Sequence, residues 1–132
     1  MPDQRIDVVR RSFQAWNEND WDALEAAYHP DVVADPPEGW PEGETAHGWD
    51  AVRLQFERLK DAWKDERVNV GEVERVRDQV LAQFQWIAQG RASGVDVANP
   101  MWGLFTVRNG RIVRLKYFFN RANALKATEA GD

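Results

Sequence analysis

The chain has 132 residues, with 22 acidic against 17 basic side chains, a formal charge of -5 and no cysteine. That length suits one domain with one core, and the missing cysteine excludes disulfides, thiolate ligands and a thiol nucleophile. The acidic balance speaks against nucleic acid or an anionic membrane as partner, because both need clustered Lys and Arg. The opening Met1-Pro2-Asp3-Gln4-Arg5 lacks the apolar core of a secretory leader and no apolar run is long enough to span a bilayer, so the expected location is cytoplasmic. Seven Trp are present, and rings of that size either fill a core or line a cavity for an apolar ligand.

Ile6, Val9, Phe13 and Trp16 recur at helical spacing behind Asp3, whose carboxylate suits an N-cap. Asn17, Asn19 and Asp20 interrupt that pattern, and Asp20 can cap a second helix carrying Trp21, Leu24, Ala27 and Tyr28. His29-Pro30 reads as its end, with His29 favourable to the dipole. Val32-Val33-Ala34 is a brief extended segment. It leads through Asp35-Pro36-Pro37 into the chain's long Gly/Pro loop, which runs to Gly48 with Trp40 in its middle and His47 near its close. A third helix is predicted from about Trp49 to Trp63 on the spacing of Val52, Phe56, Leu59 and Trp63. From Arg67 the period becomes two, giving one strand through Val68, Val70, Val73 and Val76 and another with Val80, Ala82, Phe84, Trp86 and Ala88 on one face. A long strand from about Val95 to Arg108 turns at Asn109-Gly110, a strong hairpin signal, into Arg111 to Asn120. Residues 1–4 and 127–132 are expected to fray.

A two-residue turn pairs Arg108 with Arg111, Thr106 with Val113, Leu104 with Leu115 and Trp102 with Tyr117. The helices are then expected against Trp102, Leu104, Thr106, Val113, Leu115, Tyr117 and Phe119. The opposite face holds Phe105, Val107, Ile112 and Phe118, with Arg114 and Lys116. That leftover apolar face predicts a homodimer through the outside of the sheet.

Several signals carry a resemblance when taken in order. They are Val8-Val9-Arg10-Arg11 with Ala15-Trp16-Asn17 and Asp20, then Pro30-Asp31-Val32 and Asp35-Pro36, and finally Asn109-Gly110-Arg111-Ile112-Val113 and Asn120-Arg121. Together they resemble the SnoaL-like branch of the nuclear-transport-factor-2-like superfamily, which includes the ketosteroid isomerases. The resemblance covers nearly the whole chain and implies an α+β fold: a cone-shaped, curved antiparallel sheet wrapped around three N-terminal helices, with an open-ended pocket. It implies a cofactor-independent isomerase or cyclase acting on a hydrophobic cyclic or polyketide-like metabolite. The alternative is a non-catalytic ligand-binding or dimerisation domain, since one fold hosts many functions.

Asp35 aligns with the isomerases' general base, whose proton-transfer logic is a known pattern. Equally, Asp-Pro can end an extended segment with the carboxylate serving the turn. The isomerases' oxyanion donors are not preserved: their helix-borne Tyr aligns at or beside Ser12 and their protonated Asp at or beside Trp102. Tyr117, the Trp102 indole or His47 would have to substitute. His47 is the second candidate for acid, base or donor. Trp16, Trp40, Trp63, Phe84, Trp86, Trp102 and Tyr117 are the candidate ligand-binding rings, with core packing as their plain alternative. No ligand geometry supports a metal, and no Walker loop, dinucleotide glycine motif or serine elbow occurs, so no cofactor is expected.

Overall fold

Asp3 opens the first helix by accepting the Arg5 amide at 2.9 Å, and Asn19 closes it in the left-handed conformation (φ 54°). The computed structural model describes residues 3–36, 44–91 and 93–129. Helix α1 spans Gln4–Glu18. After the Asp20 cap on the Ala23 amide, α2 spans Trp21–Ala27, and α3 spans Trp49–Ala62. The strands are β1 (Tyr28–Asp35), β2 (Ala46–His47), β3 (Trp63–Val76), β4 (Gln79–Gly90), β5 (Asp96–Arg108) and β6 (Arg111–Phe118). They form one curved, unclosed sheet in the order β2-β1-β6-β5-β4-β3. The pairs are antiparallel except β1 with β6, which run parallel, so the α+β fold has a mixed sheet.

His29 and Pro30 do not end α2. They lie inside β1, at an irregularity in its ladder with β6, where a residue without an amide hydrogen costs no sheet bond. β3 likewise starts at Trp63, ahead of the predicted Arg67. A helix not foreseen in the sequence, α4 (Arg121–Glu129), follows β6 and buries Ala124 and Thr128, so residues 127–129 are not frayed.

The hairpin turns at Asn109 and Gly110, both at positive φ, and Arg108 pairs with Arg111 as expected. Two residues later the predicted register fails. Val107 pairs with Ile112 and Thr106 with Arg114, so Val113 is an extra residue, a β-bulge. The bulge moves Leu104 opposite Lys116 and Trp102 opposite Phe118. Phe105, Val107 and Ile112 therefore enter the core at 1%, 4% and 0% exposure. They join Val9, Val32, Val52, Val80 and Leu115 between the sheet and helices α1 to α3. Trp102 and Leu104 go to the outside, where they pack with Leu81, Phe118, Ala124 and Leu125. Three of the four apolar residues of the outer patch expected for dimerisation are thus core, and the fourth, Phe118, packs in the cluster with α4.

β3 is an edge strand, and Asn17 blocks it. Its side-chain amide donates to the Val68 carbonyl and accepts from the Val68 amide, both at 2.8 Å, as a neighbouring strand would. Asn17→Ala is expected to cost about 2 kcal/mol, two partly exposed hydrogen bonds, read as a lower urea midpoint. An unchanged midpoint would remove that role.

Candidate functional site

One end of the inner sheet face is closed and the other is looser. Val80, Phe105, Val107 and Ile112 are fully covered. Trp63, Met101 and Tyr117, also facing the helices but toward the end where β1 and β6 finish, are only half-buried. The rings interlock along this face: Phe13 with Phe84 at 5.1 Å and Phe105 at 5.7 Å, Trp16 with Phe56 at 4.9 Å, and Trp63 edge-on to Trp86 at 5.2 Å. Tyr117 stands 6.2 Å from Phe84 and opposite Gly103. A β-carbon on Gly103 would come within 2.8 Å of the Phe105 ring, so glycine keeps room for the aromatic packing. A separate groove of about 370 Å³ lies outside this interior, between α1 and β3, with Arg10, Glu18 and Asn69 on its rim.

Glu66 is the charged centre of the looser end. Its side chain is 3% exposed. One carboxylate oxygen accepts the Trp16 indole at 2.6 Å and the Trp86 indole at 2.8 Å, and the other accepts the Lys60 ammonium at 3.1 Å. Lys60 also donates to the Trp16 carbonyl at 2.8 Å and stands 4.1 Å over the Trp16 ring. A buried carboxylate persists only when its lone pairs are satisfied, and here α1, α3 and β4 each supply a donor to a residue on β3. In the sequence Glu66 sits in Lys64-Asp65-Glu66-Arg67, which reads as solvated surface, and its indole partners are 50 and 20 positions away. No local signal could have found it.

Tyr117 is the polar group beside this centre. Burial, then the Glu66 charge, pushes its hydroxyl well above the ordinary tyrosine pKa. Tyr28 is shifted the same way, by burial first and by Tyr117 second, against a smaller opposing hydrogen bond from Ser12. Ser12, where the isomerases' helix tyrosine aligns, is 3% exposed and donates to the Val9 carbonyl at 2.6 Å. Both tyrosine hydroxyls therefore stay protonated to higher pH than a free tyrosine. That of Tyr117 has no hydrogen-bond partner among the described residues.

The other candidates are spread over both faces of the sheet. Asp35 ends β1 on the side opposite Val32 and Ala34, which are in the core. The Arg114 guanidinium donates to one of its oxygens at 2.9 and 3.1 Å and the Thr45 hydroxyl to the other at 2.8 Å. His47, on β2, is exposed opposite Val33. Trp63, Phe84, Trp86 and Tyr117 share the inner face, Trp16 meets them from α1, Trp102 lies on the outer face with α4, and Trp40 lies outside the described residues. Among the described residues no three His, Cys, Asp or Glu side chains gather as a metal site would require, and no helix is long and apolar enough to cross a membrane.

The sequence profile of a family described as SnoaL-like domain matches residues 9–115. No curated protein matches the chain. Among solved structures it is similar to Bal32a, from a soil-derived mobile gene cassette, at 20% identity and a TM-score of 0.81, covering 94% of this chain and 95% of that one. It is similar to a Sinorhizobium meliloti protein named as a candidate polyketide cyclase, at 28% identity and a TM-score of 0.68, covering 89% and 94%. It is also similar to an M. tuberculosis LEH-like epoxide hydrolase, at 20% identity and a TM-score of 0.73, covering 93% and 87%.

Proposed function

Because the chain belongs to the SnoaL-like domain family, we propose that it is a small-molecule enzyme of the isomerase or cyclase type, acting without a cofactor on a hydrophobic cyclic or polyketide-like metabolite. The observation that carries the proposal is the inward-facing Tyr117 hydroxyl, without a hydrogen-bond partner among the described residues, amid rings at the looser end of the sheet. Proton transfer next to a carbonyl needs a donor aimed at the oxygen where charge develops, in a place water does not dominate. A tyrosine kept neutral by burial meets that need. The ring walls of Trp63, Phe84 and Trp86 suit a flat apolar body.

In this reading Asp35 takes the proton; because it ends β1 on the face opposite Tyr117, its carboxylate has to leave Arg114 and Thr45 and turn over the end of the strand to reach the ligand. One observation favours a second reading, ligand binding without turnover: both Asp35 oxygens are already engaged. Metabolites that co-purify with the protein, identified by mass spectrometry, supply the ligand for the test. Asp35→Asn is expected to keep its affinity and to lower turnover about 100-fold, the usual scale of a lost general base. Equal turnover removes Asp35 from the chemistry and assigns it to the Arg114 brace. Absence of turnover in the unmodified protein selects the binding reading.

A further inference from the structure

Outside the interior, we propose that the groove between α1 and β3 docks a short extended peptide segment of a partner protein, added as a strand to the β3 edge at Val70 and carrying an acidic side chain for Arg10. The groove holds about 370 Å³, with Phe13, Val68 and Val70 lining it between Arg10 and Glu18. That is the small end of the range for ligand sites, room for a few residues and not for a domain.

The structure already shows what this edge accepts. The Asn17 carboxamide makes both strand-like bonds with Val68, so the Val68 amide and carbonyl point out of the sheet. In an antiparallel ladder every second residue points the same way, and Val70, in register with Phe84, therefore turns its amide and carbonyl toward the groove too. Neither has a partner among the described residues. The open stretch is short. Asn17 fills the edge on one side, and on the other the ladder with β4 shifts register between Val70 and Val73, where an irregularity bends the strand. One residue of an incoming chain can pair there, exchanging both bonds with Val70 as antiparallel pairing provides.

Charge decides what that chain carries. Helix α1 runs antiparallel to β3, since Asn17 meets Val68 while Asp3 meets Arg75. Glu18 thus stands at the filled end and already accepts the Gln14 amide at 3.2 Å. Arg10 stands toward the other end and makes no ion pair among the described residues. A strand antiparallel to β3 passes Arg10 before it reaches Val70. The side chain two residues ahead of the paired one lies on the same face, the face toward α1, where a carboxylate meets the guanidinium and an ammonium is repelled.

Three capped peptides test this on the full chain, with backbone amide NMR shifts followed at neutral pH and low salt. Ac-Glu-Thr-Val-Thr-NH2 sets its valine opposite Val70 and its carboxylate toward Arg10, Ac-Lys-Thr-Val-Thr-NH2 reverses the charge, and a form of the first with its valine nitrogen methylated cannot donate to the Val70 carbonyl. The Glu peptide is expected to shift the Asn69 and Val70 amides and leave that of Tyr117 in place. It is expected to bind at least about threefold more tightly than the Lys peptide, the scale of an exposed ion pair, and about fivefold more tightly than the methylated form, the scale of one hydrogen bond. Arg10→Glu, at an exposed position of α1, is expected to reverse the order of the Glu and Lys peptides. Should that variant fail to fold, the methylated and unmethylated peptides on the unmodified protein still decide. Any of three results overturns the proposal: no shift at Val70 with the Glu peptide at millimolar concentration, equal affinity for the methylated form, or equal affinity for the Lys peptide.

Discussion

Glu66→Leu is expected to lower the free energy of unfolding by about 3–5 kcal/mol, the scale seen when one partner of a buried charge pair is deleted. Three donors lose their acceptor at once: the Trp16 and Trp86 indoles and the Lys60 ammonium, whose side chain is only 12% exposed. The two indoles then carry an uncompensated desolvation cost, and the ammonium, left with the Trp16 carbonyl and ring but no counter-charge, carries the largest. In a domain of this size the loss corresponds to a fall of roughly 10–15 °C in Tm. Glu66→Gln should lie between the two, since its carbonyl still receives the indoles but its amide faces Lys60 with donors. Urea denaturation of the three proteins measures the series. A Leu variant within about 1 kcal/mol of the parent would mean that water or a relaxed Lys60 replaces the carboxylate and that the cluster does not hold the sheet to the helices.

The second large effect is alkaline. Tyr28 and Tyr117 both have hydroxyl pKa values raised above the ordinary 10.0, in each case chiefly by burial. In the unfolded chain both ionise near pH 10, whereas in the folded protein they stay protonated to higher pH. The stability held by the two neutral hydroxyls is complete below pH 10 and drains as pH climbs from there toward the folded values. Each tyrosine contributes a slope of about 1.4 kcal/mol per pH unit in that window, roughly 2.7 kcal/mol for the pair. Urea midpoints at pH 9, 10 and 11 should therefore fall steeply, and Tyr28→Phe, which cannot ionise, should lose about half as much per unit over the same range. Identical alkaline slopes in parent and variant would show that Tyr28 ionises in place and that its hydroxyl is not sealed in the interior.

The site was only partly legible in the sequence because its parts are assembled by contacts that skip most of the chain. Trp16, Trp63, Phe84, Trp86 and Tyr117 were readable as inward rings, since helix and strand periodicity reports which side of an element is apolar. Trp102 was misplaced by the bulge at Val113. A period-two argument counts residues from the turn, and one inserted residue inverts every assignment beyond it on one strand relative to the other. Phe105, Val107 and Ile112 changed faces for the same reason, and with them went much of the apolar patch from which a dimer was expected. Asp35 was visible as a chemical group, but its engagement by Arg114, 79 positions away, was not.

What the sequence by itself determined is the α+β class, helices α1 to α3 with the Asp caps of the first two, the Asn109-Gly110 hairpin and a ring-rich interior. These depend on local propensity, spacing and capping, which act over a few residues. Tertiary structure decided the parallel β1–β6 pair, the bulge that sorts the last two strands, the closure of part of the outer face by α4, and the choice of Glu66 as the buried charge. Each of these is settled by packing between distant segments. A carboxylate in a charged run goes inside only where two indoles and an ammonium arrive from elsewhere to satisfy it.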